Sequence, residues 1–128
     1  MKLPKEPNLK KICDKLWSDI IKERAEYKSE ISDLPGNVAH HIVAKPNLRL
    51  RYDLDNGICL SNATEHIFGA HHKFDTVRAR KFQDLIINKI GRERYNKLLS
   101  LRKGSSKVDL KLIKIFLEQE LNKLRGGE

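Results

Sequence analysis

The sequence predicts a small, mainly helical α+β fold. Near both ends of the 128-residue chain, apolar residues recur at spacings of three and four, the pattern of amphipathic helices. Between these regions, two short β-type segments, Val38 to Val43 and Ile58 to Leu60, flank a long connection over 44–57 that ends in Asn-Gly. The length is that of one domain, so we expect residues 1–128 to form a single domain.

The N-terminal part, residues 1–37, is predicted to hold one helix and a turn. Asn8 is placed to cap a helix that runs to about Tyr27, and Pro35-Gly36 marks the turn that follows. In the central part, residues 38–72, the two β-type segments form an irregular hairpin. A short helix from about Asn62 to Ala70 completes this part.

The C-terminal part, residues 73–128, is predicted to be helical and basic. Asp75 caps one helix, Gly91 interrupts it, Asp109 caps the last helix, and residues 126–128 are expected to be disordered. The apolar stripes of all these helices predict the core. Its expected members include Trp17, Ile20, Phe82, Leu85, Ile113 and Phe116.

The charge distribution points to a polyanionic partner. The formal net charge is +9, and the stretch from Lys73 to Lys103 carries ten basic residues against three acidic ones. This density suits a nucleic-acid backbone, although a solvated helix face gives the same pattern.

Other classes of protein are excluded by what the sequence lacks. No apolar run approaches the roughly 20 residues that span a bilayer, and Met1 to Lys5 lacks the apolar stretch of a signal peptide. Cys13 and Cys59 form no Cys-x-x-Cys pair, so a disulfide scaffold and a cysteine-based zinc site are excluded. We therefore expect a cytoplasmic protein, with no membrane contact, whose two thiols are reduced and buried.

All five histidines lie between residues 40 and 72. Adjacent side chains of a β-segment point to opposite faces, so His40 and His41 are expected to have separate roles rather than to share an ion. If one binds a metal, the other can accept a proton from water near neutral pH. Hydrolysis of a phosphodiester needs both functions, and His66 is the natural second metal ligand.

These residues resemble the HNH endonucleases, the ββα-metal nucleases, and in particular a phage-associated branch of that family. The resemblance covers most of the chain and is most specific in its central run. Its elements are Leu16-Trp17-Ser18-Asp19-Ile20-Ile21, then His40-His41-Ile42, then Arg51-Tyr52-Asp53-Leu54-Asp55-Asn56-Gly57-Ile58-Cys59-Leu60, and finally His66 with Ala70-His71.

The resemblance implies a ββα-metal core flanked by N-terminal and C-terminal helices, and a metal-dependent endonuclease that nicks or cuts DNA. It makes His41 the general base and His40 and His66 ligands of one divalent ion, Mg, Mn, Ni or Zn. It also implies that the Asn56 amide holds the hairpin loop in place. The expected partner is double-stranded DNA, bound with low sequence specificity.

Two departures from the family pattern change these expectations. At the positions of the family's two zinc-binding Cys-x-x-Cys knuckles the chain has Ser29, Ser32, Ser61 and Thr64. Hydroxyls are poor zinc ligands, so no structural zinc is expected. The family histidine after the second knuckle is shifted by one position, which makes either His66 or Glu65 the helix ligand. His71 is a further candidate, with a surface role as the alternative.

Basic residues near the histidines are candidates for contacts with DNA. Arg49 or Arg51 could clamp a phosphate, or either could form an ion pair with Asp53 or Asp55. Two other functions remain open, an inactive HNH-fold module that only binds DNA and a structural protein with acidic partners. The remaining candidates for DNA contacts are Lys73, Arg78, Arg80 and Lys81.

Overall fold

The computed structural model describes residues 8–43, 48–62, 76–102 and 107–127. They form a mixed α+β structure that is mainly helical, as predicted. No helix in these ranges is both long and apolar enough to cross a membrane. In chain order the elements are α1 (Leu9–Arg24), β1 (Val38–His41), α2 (Leu48–Tyr52), a 3-10 turn (Leu54–Asn56), β2 (Gly57–Leu60), α3 (Thr76–Ile90), α4 (Arg92–Leu101) and α5 (Leu110–Leu124).

Helix α1 begins where the sequence predicts and ends slightly earlier. The Asn8 side chain accepts a hydrogen bond from the backbone N–H of Lys11, the expected N-cap. The helix stops at Arg24 because the chain then turns through Glu26 and Tyr27, which have φ of 55° and 56°. Few side chains adopt this left-handed conformation, and it cannot continue a helix.

One apolar cluster joins α1 to α5 and to one face of the β-hairpin. Both cysteines are free thiols buried in this cluster, as expected. Burial raises the pKa of the Cys13 thiol, which keeps it protonated at neutral pH. The buried members are Cys13, Trp17, Ile20, Ile21, Tyr52, Cys59, Leu117 and Leu121.

A second apolar cluster covers the opposite face of the hairpin. It joins the hairpin to α2, α3 and α4, and its buried members are Ile42, Val43, Leu50, Ile58, Leu60, Ile86 and Leu98. Cys59 belongs to the first cluster, whereas its neighbours Ile58 and Leu60 belong to the second. The two-stranded sheet therefore lies between two cores, which is why all four residues of β2 are buried.

The break between α3 and α4 occurs at Gly91, as predicted. Gly91 has φ of +95°, a conformation that favours glycine, and its surroundings leave open space for a side chain. Its N–H closes α3 by donating to Ile87, and its carbonyl starts α4 by accepting from Tyr95. The predicted cap of α3, Asp75, and the predicted helix over 62–70 lie outside the described residues, except Asn62.

Two expectations about the C-terminal part are wrong. Leu85 is 52% exposed and Phe116 is 49% exposed, whereas their neighbours Ile86 and Leu117 are buried. The apolar surface predicted for α3 and α5 is wider than the face that each helix buries against the rest of the protein.

The chain end also differs from the expectation of disorder at residues 126 and 127. Gly126, with φ of +84°, donates its N–H to Lys123, and Gly127 donates its N–H to Asn122. These two bonds form a Schellman cap on α5, which satisfies carbonyls that the helix itself leaves without donors.

Candidate functional site

The hairpin places His41 where the ladder ends. Strands β1 and β2 are antiparallel, with His40 opposite Ile58 and His41 opposite Gly57. β1 was expected to reach Val43 but ends at His41. After it, Ile42 donates its N–H to the Asn56 carbonyl and Val43 donates to the Asn56 side chain, so Asn56 replaces the strand partner.

His40 and His41 occupy opposite faces of the hairpin, as the alternation of side chains along a strand predicts. The His41 ring stacks on the indole of Trp17 in α1, with ring centroids 4.0 Å apart and planes only 4° apart. His40 is 8% exposed and shares its face with Ile58, a member of the second apolar cluster. The two imidazoles are therefore unable to act as neighbouring ligands of one ion.

A backbone carbonyl fixes the protonation of the neutral His41 ring. His41 Nε2 lies 3.0 Å from the carbonyl oxygen of Arg51 in α2. A carbonyl oxygen only accepts hydrogen bonds, so Nε2 must carry the hydrogen. In the neutral ring, Nδ1 then carries the basic lone pair, so a proton is added at Nδ1.

Trp17 links the same loop to α1. Its Nε1–H donates to the carbonyl of Asp53, at 3.0 Å, while its face supports His41. Carbonyls only two residues apart in the loop thus accept from Trp17 and from His41. The sequence offered no sign of this stacking, because residues 17 and 41 are distant in the chain.

Asn56 closes the loop between the strands. Its side chain is fully buried, and its Oδ1 accepts from the Val43 N–H at 2.8 Å. Its Nδ2 donates to the carbonyls of Val43 and Leu50, each at 3.0 Å. An amide can both donate and accept, so one side chain satisfies three backbone groups that the irregular loop leaves without a ladder.

Gly57 is required for space rather than for a turn. Its backbone is extended, with φ −121° and ψ 143°, so Asn-Gly is not a two-residue hairpin turn here. A Cβ at this position would lie 2.8 Å from Cζ2 of Trp17 and even closer to the Ile21 side chain. The absence of a side chain lets α1 approach β2 and brings Trp17 against His41.

Arg51 has a partner, Asp14, that the sequence does not indicate. Its Nε and Nη2 donate to the two carboxylate oxygens of Asp14 in α1, at 2.7 and 2.5 Å. The expected alternatives to a phosphate contact, ion pairs with Asp53 or Asp55, are not those that form. The hydrogen-bonded Asp14 carboxylate holds the pKa of Arg51 above its usual value. This bidentate pair ties α2, and with it the Arg51 carbonyl, to α1.

The turn that contains Ser29 and Ser32 is held by hydrogen bonds. The Ser29 and Ser32 hydroxyls accept from the backbone N–H groups of Ile31 and Leu34. Glu30 connects this turn to β2, because its carboxylate accepts from the Cys59 N–H at 2.7 Å and its own N–H donates to the Cys59 carbonyl.

Some of the remaining candidate site residues lie within the described ranges and others lie outside them. Arg49 is exposed on α2, and Arg78, Arg80 and Lys81 are exposed on the first turns of α3. Within the described ranges, no group of three or more His, Cys, Asp or Glu side chains is arranged to hold a metal ion. The candidates His66, Glu65, His71, Lys73 and Thr64 lie outside these ranges.

No protein-family model matches this chain, and neither the search of curated proteins nor that of solved structures gives a match.

Proposed function

We propose that this protein is a divalent-metal-dependent DNA endonuclease with a ββα-metal core of the HNH type. The observation that carries the proposal is the placement of His41 at the mouth of a loop closed by Asn56. The imidazole is held in one tautomer by the Arg51 carbonyl and in one plane by Trp17. A base that must act on water needs this fixed orientation.

In the proposed reaction, His41 takes a proton from the attacking water. A neutral imidazole can accept that proton near physiological pH. The Arg51 carbonyl faces the ring at Nε2, where it stabilises the N–H dipole and the positive charge that protonation creates. The chain thus provides both the base and a fixed group to support its charged form.

His40 is the metal ligand that the described residues contribute to the proposal. Its buried imidazole offers a nitrogen donor suited to the divalent ions considered above. The proposal adds His66, with Glu65 or His71 as the alternatives. An ion bound there would supply positive charge to the phosphate and to the leaving 3′ oxygen.

Exposed basic residues supply the proposed contacts with the DNA backbone. Arg78, Arg80 and Lys81 present three positive charges at the start of α3. Arg51 uses one edge of its guanidinium on Asp14, which favours Arg49 as the phosphate contact from α2. Backbone contacts carry no sequence information, so we expect low sequence specificity on double-stranded DNA.

Plasmid cleavage tests this proposal. Supercoiled DNA is incubated with the protein and Mg²⁺, Mn²⁺, Ni²⁺ or Zn²⁺, with and without EDTA, and nicked and linear products are measured. We expect cleavage with metal only, and a loss of roughly 10²- to 10⁴-fold in rate for His41→Ala with little change in DNA affinity. His72→Ala serves as the control, since His72 has no role in the proposal.

The results separate the proposal from its alternatives. Equal cleavage by wild type and His41→Ala would show that another group acts as the base. DNA binding without cleavage under any metal would indicate a module of the same fold that only binds DNA. Loss of both would favour a structural protein with other acidic partners.

A further inference from the structure

A cleft of about 160 Å³ lies beside the hairpin loop, where α2, the 3-10 turn and α4 meet. It is separate from the His41 ring but uses the same loop, because Arg49 in its wall belongs to the helix whose Arg51 carbonyl binds His41. The lining residues are Arg49, Asp53, Asp55, Arg94, Lys97, Leu98 and Leu101.

Arg94 is fixed in the cleft wall by the loop itself. Its Nε and Nη2 both donate to the carbonyl oxygen of Asp55, at 3.0 and 2.6 Å. A guanidinium has five N–H donors, so three remain after these two bonds. Within the described ranges these three make no hydrogen bond, which leaves a positioned donor group beside the cleft.

Two further cations line the cleft and form no ion pair within the described residues. The side chains of Arg49 and Lys97 are exposed, and neither forms an ion pair with any residue that the structure describes. Of the two carboxylates in the wall, Asp53 is already engaged, since its Oδ1 accepts from the Asp55 N–H at 2.9 Å and caps the 3-10 turn. Three cations against two carboxylates favour an anion in this cleft.

We propose that this cleft binds a phosphate of the DNA backbone outside the reacting centre, an inference that rests on the proposed function. The cleft volume of about 160 Å³ leaves room for the five heavy atoms of a phosphate group. Guanidinium groups match the oxygens of a phosphate well. A phosphate held by Arg49, Arg94 and Lys97 would set the position of the DNA strand relative to His41, because α2 connects both sites.

Binding of a short fluorescent duplex DNA, measured by anisotropy in EDTA over a series of salt concentrations, tests this cleft without requiring cleavage. The test variant is the pair Arg49→Gln and Lys97→Gln, since both side chains are exposed and form no hydrogen bond or ion pair with the residues that the structure describes. Losing one phosphate contact should lower the steepness of the plot of log affinity against log salt by about 0.9. If the variant and the wild type bind equally at 1 M salt, this difference in slope makes the variant bind about eightfold more weakly than the wild type at 0.1 M salt.

The matched control removes the same two charge types elsewhere. Arg92→Gln with Lys111→Gln changes an exposed arginine of α4 and an exposed lysine of α5, neither of which lines the cleft. We expect the control to keep most of the wild-type affinity, and Lys97→Arg, which retains the charge, to bind like the wild type. Circular dichroism confirms that each variant is folded.

Equal weakening in the cleft variant and the control would overturn the proposal, because it would reflect net charge alone. Unchanged affinity and salt dependence in the cleft variant, or no DNA binding by the wild type, would overturn it as well. The outcome is independent of catalysis. If the protein binds DNA through the cleft but cuts no plasmid, the proposed nuclease activity is wrong and the proposed phosphate site stands.

Discussion

At the scale of single residues, the loop between β1 and β2 depends on one buried amide. Asn56 provides the only side chain that reaches both Val43 and the Leu50 carbonyl within the described ranges. Regular hydrogen bonds between strands cannot bond these backbone groups, because the loop includes a helix of five residues and a 3-10 turn. The position of the Arg51 carbonyl, and hence the orientation of His41, follows from this closure.

Asn56→Ala should therefore weaken both the fold and cleavage. It removes the Asn56 partner of the Val43 N–H and of the Val43 carbonyl, and one of the donors to the Leu50 carbonyl, which keeps the Asp53 N–H at 3.4 Å. Each buried group that finds no new partner costs about 1–3 kcal/mol. We expect the free energy of unfolding to fall by roughly 2–5 kcal/mol, measured by chemical denaturation, and kcat to fall in the cleavage assay. Asn96→Ala, an exposed position in α4, should change stability by less than about 0.5 kcal/mol. Unchanged cleavage kinetics in Asn56→Ala would contradict the role of the loop.

The metal ligands are testable one residue at a time. His40→Ala and His66→Ala should each weaken binding of the divalent ion in a calorimetric titration, because each removes an imidazole donor. Glu65→Gln should have a much smaller effect. If Glu65→Gln loses the ion while His66→Ala retains it, an oxygen ligand has replaced the imidazole and the assignment of His66 is wrong.

At the scale of elements, helices with strong local signals could be predicted from the sequence. Asn8 and Asp109 cap α1 and α5 as expected, because an N-cap bond involves only residues two or three positions apart. The break at Gly91 is likewise a local property of glycine.

Helix α2 could not be predicted, because its stabilising contacts come from elsewhere in the chain. Five residues are too few for a stable isolated helix. Arg51 binds Asp14, and the Tyr52 hydroxyl donates to the Lys10 carbonyl at 3.2 Å, so α1 holds it from outside. Burial raises the pKa of Tyr52 to about 12, which keeps this hydroxyl a donor at all ordinary pH values.

Contacts across the molecule also decided which apolar residues are buried. Periodicity places Phe116 and Leu117 on adjoining parts of α5, but the apolar cluster shared with α1 lies on the side of Leu117, so Leu117 is buried and Phe116 is half exposed. The need for glycine at position 57 could not be predicted either, because a Cβ there would clash with Ile21 and Trp17, which lie in another element.

The contact between α1 and α5 should depend on pH through Glu23. Its carboxylate accepts two hydrogen bonds from Arg125, at 3.0 and 2.8 Å, and they lower its pKa below the usual 4.5. A lowered pKa in the folded state gives stability that is present above pH 4.5 and is lost as the pH falls below that value.

Thermal unfolding between pH 6 and pH 3 measures this contribution. Glu23→Gln should show a smaller fall in midpoint than the wild type, with the difference confined to the region below about pH 4.5. Glu26→Gln is the control, because Glu26 forms no ion pair within the described residues. Identical pH profiles for the wild type and Glu23→Gln would show that the pair does not contribute.

At the scale of the whole molecule, the hairpin is held between two apolar clusters. Trp17 and Leu117 represent the cluster on the His41 face, and Ile58, Ile86 and Leu98 represent the one on the His40 face. Full burial of one such side chain contributes on the order of 1.5–3 kcal/mol. The hairpin that carries the two histidines is therefore stabilised by packing on both of its faces.

The last prediction concerns metal removal. The hydroxyls of Ser29 and Ser32 bond to neighbouring backbone groups, and Glu30 ties their turn to β2, so we expect no structural zinc to be needed there. Excess EDTA should abolish cleavage of plasmid DNA. It should lower the free energy of unfolding only by the mass-action contribution of the bound ion, ~2.7 kcal/mol when the ion is present at 100 times its Kd, with a correspondingly small fall in the thermal midpoint.

Circular dichroism with and without EDTA provides the measurement, on the full chain and with no DNA present. A structural zinc contributes an apparent ~10–16 kcal/mol in small zinc-finger peptides, so its removal would unfold a domain that depends on it. A cooperative loss of helical signal on adding EDTA would contradict the prediction. It would mean that a metal holds the turn with ligands other than the Ser29 and Ser32 hydroxyls, which already accept hydrogen bonds from the backbone.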